Sequence, residues 1–478
     1  MVDSARVRVT SAITRQPPPA VALFRVESMA TTTSGQPHQQ PSQPSPSAPG
    51  QVGEQPLYDP TAELLADPYA VYERLRETAP VRRIVGPDGR PAWLVTRYED
   101  VRRALADPRL SLDKRHALPG NYHGFQLPPA LDANLLNMDP PDHTRIRRLV
   151  VRAFTPGRIE MLRGPVRRTA DELLDALPAG RADLIASYAA PLPIVVICEL
   201  LGVPPEDRRD FREWTDALVA PDPSRPGRAK EAVRDMLAFF TGLLATKRAE
   251  PGDDLLSALI AVRDDAGDGD DAGDGGDGGE GGDGGDEWAG AGAGGAAADG
   301  LGEDELMSLA FLILFAGYEN AVQLIGNSVL ALLRHPDQMA ALRADPGRAG
   351  AAVAEFARYE GPALLAIRRF PVEDVVIGGA TVPAGETVML SLAAANRDPE
   401  RFPDADRLDL DRDASGHVAL GHGIHYCLGA PLARLETEVA LTALLERFPR
   451  LELDVPYEEL RRRPSTRARG LLALPVRY

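Results

Sequence analysis

The sequence predicts a mainly α protein with a minor β part, built as one large domain. Three observations carry this expectation. Apolar residues recur at helical spacing in many segments, alternating runs are few and short, and the 44% apolar and 26% charged content is that of an ordinary globular chain. With 478 residues there is ample chain for a sizeable core.

Taken in order, residues 1–56 lack hydrophobic periodicity, and from Thr31 onward they consist largely of Thr, Ser, Gln, Pro and Gly. Such a segment buries too little apolar surface to offset ordering entropy, so it is read as a disordered arm. Met29, which opens that tract, is a second candidate start of translation. Residues 57–478 form the expected domain, interrupted at 264–302 by seventeen Gly and twelve Asp or Glu without a Lys or Arg. Floppy backbone and like charges make this a solvated, disordered loop.

Within the domain, Pro68 to Thr78 spaces Tyr69, Tyr72 and Leu75 three apart, and Asp142 is placed to cap a helix from His143 to Phe154. Phe211 to Leu218, Ala229 to Arg248, Glu303 to Arg334, Arg348 to Tyr359 and Pro431 to Phe448 also read as helices. Strands are expected at Trp93 to Thr96 and Thr387 to Leu392, with a hairpin from Val375 to Val382 turning on Gly378-Gly379.

The helix from 303 is apolar all round as far as Gly317, is broken by Tyr318, Glu319 and Asn320, and then resumes. As a membrane span it would place an acid at mid-helix, at a cost of about 2.5 to 3.5 kcal/mol. A helix through the middle of a large helical domain needs the same apolarity without that cost, so no membrane is expected. The net charge of −17 falls to −5 outside the acidic loop, and no dense basic arm exists to bind nucleic acid. Two cysteines, Cys198 and Cys427, exclude a disulfide scaffold and fit a reducing, cytoplasmic setting. The longest apolar run near the N-terminus, Ala20 to Phe24, is too short for a signal-peptide core.

Chemistry concentrates around Cys427, in SGHVALGHGIHYCLGAPLAR. Gly421, Gly423 and Gly429 allow a flat partner close to the backbone, and a helical pattern begins directly after the cysteine, favouring a thiolate. Two sites remain open on the residues alone. His417, His422, His425 and Cys427 could close on zinc, although no second ligand knuckle exists. Alternatively, Cys427 alone ligates heme iron, for which one thiolate suffices. Cys198, in PLPIVVICELL, reads as apolar filler.

The string Gly421-His422-Gly423-Ile424-His425-Tyr426-Cys427-Leu428-Gly429 resembles the heme-binding loop of cytochrome P-450 monooxygenases of the soluble, actinomycete-like type, and the resemblance runs from about Tyr58 to Tyr478 apart from the acidic loop. It implies the cytochrome P-450 fold, with the long helix crossing the heme, and heme b (iron protoporphyrin IX) with Cys427 as its metal ligand. His425 is then a contact to a heme propionate, as are His143 and Arg147 of MDPPDHTRIRRLV and Arg369 of AIRRFPVEDV. Leu420 stands where the family usually has Phe. Glu355 and Arg358 match a Glu-x-x-Arg pair that meets a later arginine, for which the register gives Arg407; these are structural residues.

The resemblance also gives Ala316-Gly317 a role in leaving room for dioxygen, and makes Glu319 and Asn320 the catalytic pair. The family follows the acid with Thr; here the alcohol is replaced by an amide that holds a water but cannot ionise. Leu312, Phe315, Leu365 and the loop Leu112 to Leu136 are expected at the substrate pocket. The implied activity is the O2-dependent oxidation of an apolar or amphipathic small molecule in secondary metabolism. No Gly-rich flavin or dinucleotide fingerprint is evident, so electrons are expected from a ferredoxin and its reductase. The alternative of another class is a non-catalytic heme- or zinc-binding recruitment subunit.

Overall fold

Helices form wherever apolar periodicity runs for more than two turns. Pro68–Thr78 and Glu303–Arg334 take the expected bounds, while Arg208–Val219, Arg228–Ala249, Ala349–Glu360 and Ala430–Arg447 differ by one to three residues at an end. Asp67 caps the first of these, accepting from the amides of Tyr69 at 3.0 Å and Ala70, with Pro68 at the first helical position. Asp142 does not act as a cap. Its helix, Asp142–Ala153, starts one residue earlier because the Pro141 carbonyl already accepts from Arg145 N at 3.0 Å. Asp142 still favours the helix as an acid in its first turn. These elements belong to a computed structural model that describes residues 57–121, 129–132, 134–219, 225, 227–264 and 301–478. The expectations for the 1–56 arm, for 265–300 and for part of the 112–136 loop lie outside them.

The long helix is encased by others, and 61% of its most apolar stretch is buried. Part of its cover is the segment Ile185–Ala189 and the helix Pro191–Leu201, which periodicity does not reveal because PLPIVVICELL is apolar except for Glu199. Two glycines set that approach: a Cβ on Gly317 would lie 3.0 Å from Ile197 Cδ1, and one on Gly326 would lie 2.5 Å from Ile185 Cδ1. Gly317 therefore serves helix packing, and Ala316 is the small residue that faces open space. Cys198 is fully buried here, and burial pushes its thiol up to about 12.

The β part is small. Val81–Val85 pairs antiparallel with Pro91–Val95, which runs parallel to Val388–Leu390, with Trp93 opposite Val388. The expected hairpin forms as Val375–Ile377 and Ala380–Val382, with both turn glycines at positive φ, 55° and 87°. The run read as a strand to Leu392 stops at Leu390 because Ser391 caps a short helix, Leu392–Asn396, by accepting from Ala394 N. A large helical core and two smaller clusters around the sheet residues build the unit Pro56–Tyr478.

Two buried acids contrast sharply. Burial opposes ionisation of Glu360, but Arg462 at 3.1 Å, Arg469 at 3.0 Å and Arg397 at 3.8 Å outweigh it and hold the carboxyl below its usual range. Glu436 is 1% exposed, its Oε1 has no hydrogen-bond partner among the described residues, and burial pushes its carboxyl well up. A raised folded-state pKa means stability is greatest below the ordinary carboxyl range and declines as pH rises towards the folded value. The slope is roughly 1 kcal/mol per pH unit. The thermal midpoint of Glu436→Gln, relative to the parent, should therefore rise from pH 5 to pH 8; a difference independent of pH would show the carboxyl to be ionised in the fold.

Candidate functional site

The cysteine loop is closed by its own backbone. Gly421 N donates to Val418 O at 2.9 Å, Tyr426 N to Gly423 O at 3.1 Å and Cys427 N to Leu420 O at 2.9 Å, while Asn396 Oδ1 accepts from Val418 N. Gly423, at φ +76°, turns the loop against the helix Tyr98–Ala106: a Cβ there would lie 3.2 Å from Ala106 Cα. A Cβ on Gly429 would meet nothing within 4 Å, so the backbone beside the cysteine borders open space. The helix Ala430–Arg447 starts immediately after. Burial pushes the Cys427 thiol up, while amides of Gly429 and Ala430 directed at the sulfur and the nearby Arg147 guanidinium pull it down. In the protein by itself burial is the larger effect on the thiol, while the amides at the start of the helix act in the direction expected for a thiolate.

Beside this loop four basic side chains meet without an acid of their own. His143 is 1% exposed, and neither ring nitrogen has a partner among the described residues. Its ring lies 4.1 Å from that of His425. Burial pushes His143 down to about 4 and His425 to about 3, with Arg369 and Arg147 adding to both. Arg369 is 4% exposed, has an unpartnered Nε, and is itself pushed down to about 10 by burial. Asp139, the acid near His143 and Arg369, is already engaged by Ser111 Oγ and by Leu112 N at 3.1 Å. Arg147 differs from expectation in one arm, which donates from Nη2 to Tyr426 O at 2.6 Å and so also braces the cysteine loop.

Two guanidiniums beside two imidazoles whose protonation they oppose, with both ring nitrogens of His143 orphaned, fit a group that brings carboxylates. The donor set next to Cys427 thus fits heme, whose two propionates supply those charges. Zinc fits poorly. His417 Nδ1 accepts from Ala419 N at 3.2 Å, the His425 ring lies against His143, and among the described residues no three His, Cys, Asp or Glu side chains converge.

The Glu-x-x-Arg pair is fully buried: Arg358 donates Nε and Nη2 to Glu355 at 2.7 and 2.8 Å, and Nη1 to the carbonyls of Asn396 and Ala405. Arg407 is not the third arginine. Its carbonyl accepts from Arg358 at 3.3 Å, but its side chain points to solvent and pairs with Asp409. Arg412 reaches Glu355 instead, at 3.4 Å, and fastens the loop through the carbonyls of Pro403, at 2.5 Å, and Asp404, at 3.0 Å. The chain bends so that residue 407 offers backbone and residue 412 side chain; register alone could not separate the two.

On the long helix, Phe315, Ala316 and Asn320 are exposed in the middle of a largely buried element, so the described residues leave this face uncovered. Asn320 Nδ2 makes a long bond to Ala316 O at 3.5 Å. Glu319, one residue away, points elsewhere, since adjacent helical residues do not share a face. It pairs with Arg463 Nη1 at 3.3 Å and accepts from Gln323 Nε2 at 3.2 Å. Of the expected substrate residues, Phe315 stacks on Phe311 at 5.7 Å, and Leu312 is half-buried beside the large core. Leu365 packs in a different cluster and lines a cleft with Leu64, Tyr72, Ile84, Leu94 and Met389 that includes neither of the others. Sequence reasoning missed Arg412, Arg463 and Gln323; no local pattern marks them, because each acts across a fold contact.

The family model for Cytochrome P450 matches residues 293–475. The chain is 46% identical to the cytochrome P450 monooxygenase PikC of Streptomyces venezuelae over 87% of its length and 92% of that protein. It is also 46% identical to the vitamin D(3) 25-hydroxylase of Pseudonocardia autotrophica, over 86% of its own length and 93% of that protein. The tirandamycin C-bound P450 monooxygenase TamI superimposes with a TM-score of 0.74 at 42% identity, over 88% of this chain and 99% of that one. By these similarities and its fold, the chain belongs to the cytochrome P450 family, as a monooxygenase with a heme-iron cofactor, a redox partner and a small-molecule substrate.

Proposed function

We propose that Cys427 would ligate the iron of heme b through its sulfur and that His143, His425, Arg369 and Arg147 would hold its propionates. The observation that carries this is the set of basic side chains, His143 and Arg369 buried and His425 and Arg147 half-buried, with His143 orphaned at both nitrogens, next to a sulfur that receives two backbone amides. Bound there, thiolate-ligated heme supplies O2 activation. The protein's own part is to fix the sulfur, compensate the carboxylates and shape the cavity on the other side.

That cavity is bordered by the open face of the long helix, with Phe315 and Leu312 as apolar wall residues. An apolar wall with a few polar groups suits a largely apolar secondary metabolite, as the names of the relatives that hydroxylate vitamin D(3) or bind tirandamycin C also suggest. Electrons come from a ferredoxin and its reductase in the cytoplasm. Asn320, facing the cavity, holds a water or meets a substrate hydroxyl, and Glu319 supplies the titratable group beside it. A second reading, oxidative coupling with less demand on protons, is favoured by the amide at 320.

The test combines a spectrum with a balance sheet. Reduced protein under carbon monoxide should give the red-shifted Soret band of thiolate-ligated heme, and reductant consumption should rise with an accepted substrate. Asn320→Ala should lower product and raise peroxide several-fold per electron pair. Unchanged ratios would remove Asn320 from the mechanism, and a band without any substrate-dependent consumption would favour the non-catalytic reading.

A further inference from the structure

We infer that Arg463, in the C-terminal arm, is the positioning residue for Glu319 and thereby for proton supply to the oxygen reaction. The inference rests on the proposed role of Glu319 and extends it to a residue far away in sequence.

Oε1 of Glu319 is held by Arg463 and by Gln323. Arg463 Nη1 is 3.3 Å from Oε1, and Gln323 Nε2 donates to the same oxygen at 3.2 Å. Gln323 is itself immobilised: it is 1% exposed, its Oε1 accepts from Leu471 N at 2.8 Å, and its Nε2 approaches Leu471 O at 3.4 Å. Gly470 permits this fit, since a Cβ there would sit 2.5 Å from the Gln323 amide carbon. The same arm carries Arg463, whose amide donates to Gly470 O at 2.9 Å, with Arg462 bridged to Leu471. Thus one piece of backbone places both the cation and the amide that hold the carboxylate. Arg463 is 23% exposed at its side chain and Glu319 18%, so the pair reaches water on one side, while Asn320 lies on the helix's open face one residue on. A carboxylate that reaches water one residue from the helix's open face can take a proton from water and hand it towards that face only if its orientation is controlled, and the arginine supplies that control.

For a hydroxylation, substrate, O2, two electrons from the reduced partner and two protons give the alcohol and water. When protons arrive wrongly, O2, two electrons and two protons leave as hydrogen peroxide. Arg463→Gln removes the cation without shortening the side chain greatly, and Arg463→Lys restores it. In the heme-loaded enzyme with its redox partner, Arg463→Gln should raise the peroxide-to-product ratio about threefold or more and change the solvent deuterium isotope effect on turnover. Arg463→Lys should recover most of both. The carbon monoxide band should remain in each variant. Parental ratios and isotope effect in Arg463→Gln, beside altered values in Glu319→Gln, would overturn this inference alone. Parental values in both would overturn it together with the role of Glu319. Loss of both functions in Arg463→Gln without recovery in Arg463→Lys would also overturn it, by showing a packing role.

Discussion

Replacing Cys427 by serine is expected to abolish the red-shifted carbon monoxide band and reduce substrate oxidation to the background rate, while the protein still folds. The physical case is asymmetric. The backbone groups of residue 427 close the loop, through Cys427 N to Leu420 O at 2.9 Å and Ala430 N to Cys427 O at 3.4 Å, and serine keeps both. What serine lacks is the soft, electron-donating sulfur that receives the amides of Gly429 and Ala430. The far-ultraviolet circular dichroism and the solubility should match the parent, and the basic cluster of His143, His425 and Arg369 should still retain heme weakly. A thiolate-type spectrum that survives in Cys427→Ser would sink the assignment, since Cys198, the other cysteine, is wholly buried among Leu, Ile and Val.

The second large effect falls on stability. Arg358→Ala is expected to yield little heme-loaded protein, because it strands the Glu355 carboxylate, 1% exposed at its side chain, in the interior. Breaking a buried, hydrogen-bonded pair by removing one partner costs about 3–5 kcal/mol, a large fraction of the roughly 5–15 kcal/mol that keeps a domain folded. Arg358→Lys should fare only slightly better: a lysine cannot span both Glu355 oxygens and the carbonyls of Asn396 and Ala405 together. Two companions sharpen the measurement of heme per chain and unfolding temperature. Arg412→Ala should weaken the same node, whereas Arg407→Ala should lie near the parent, because an exposed pair such as Arg407 with Asp409 contributes about 0–1 kcal/mol. The reverse order of these two would contradict the placement of the loop.

The same loop shows why parts of the site were legible in sequence and others were not. Cys427 stands out by its glycine-rich string, whereas His425, His143 and Arg369 are singled out only by the family resemblance of their strings. Helices with strong periodicity, such as Pro68–Thr78 and Glu303–Arg334, followed from pattern alone. Pro191–Leu201 did not, since a helix buried on every side carries no amphipathic signature. Arg407 and Arg412 both sit in RLDLDRD, and only the course of the backbone decides which one contributes a guanidinium and which a carbonyl.

By itself the sequence determined the helical class, the family resemblance and the glycine-flanked cysteine, because those are set by residue type and short-range spacing. Tertiary structure alone decided the direction of Glu319 towards Arg463 and Gln323, the helix-packing role of Gly317 and the exchange of Arg407 for Arg412. Each of these depends on two segments distant in sequence meeting at a few ångströms, and the hydrophobic core that brings them together leaves no local trace of which polar side chains will touch.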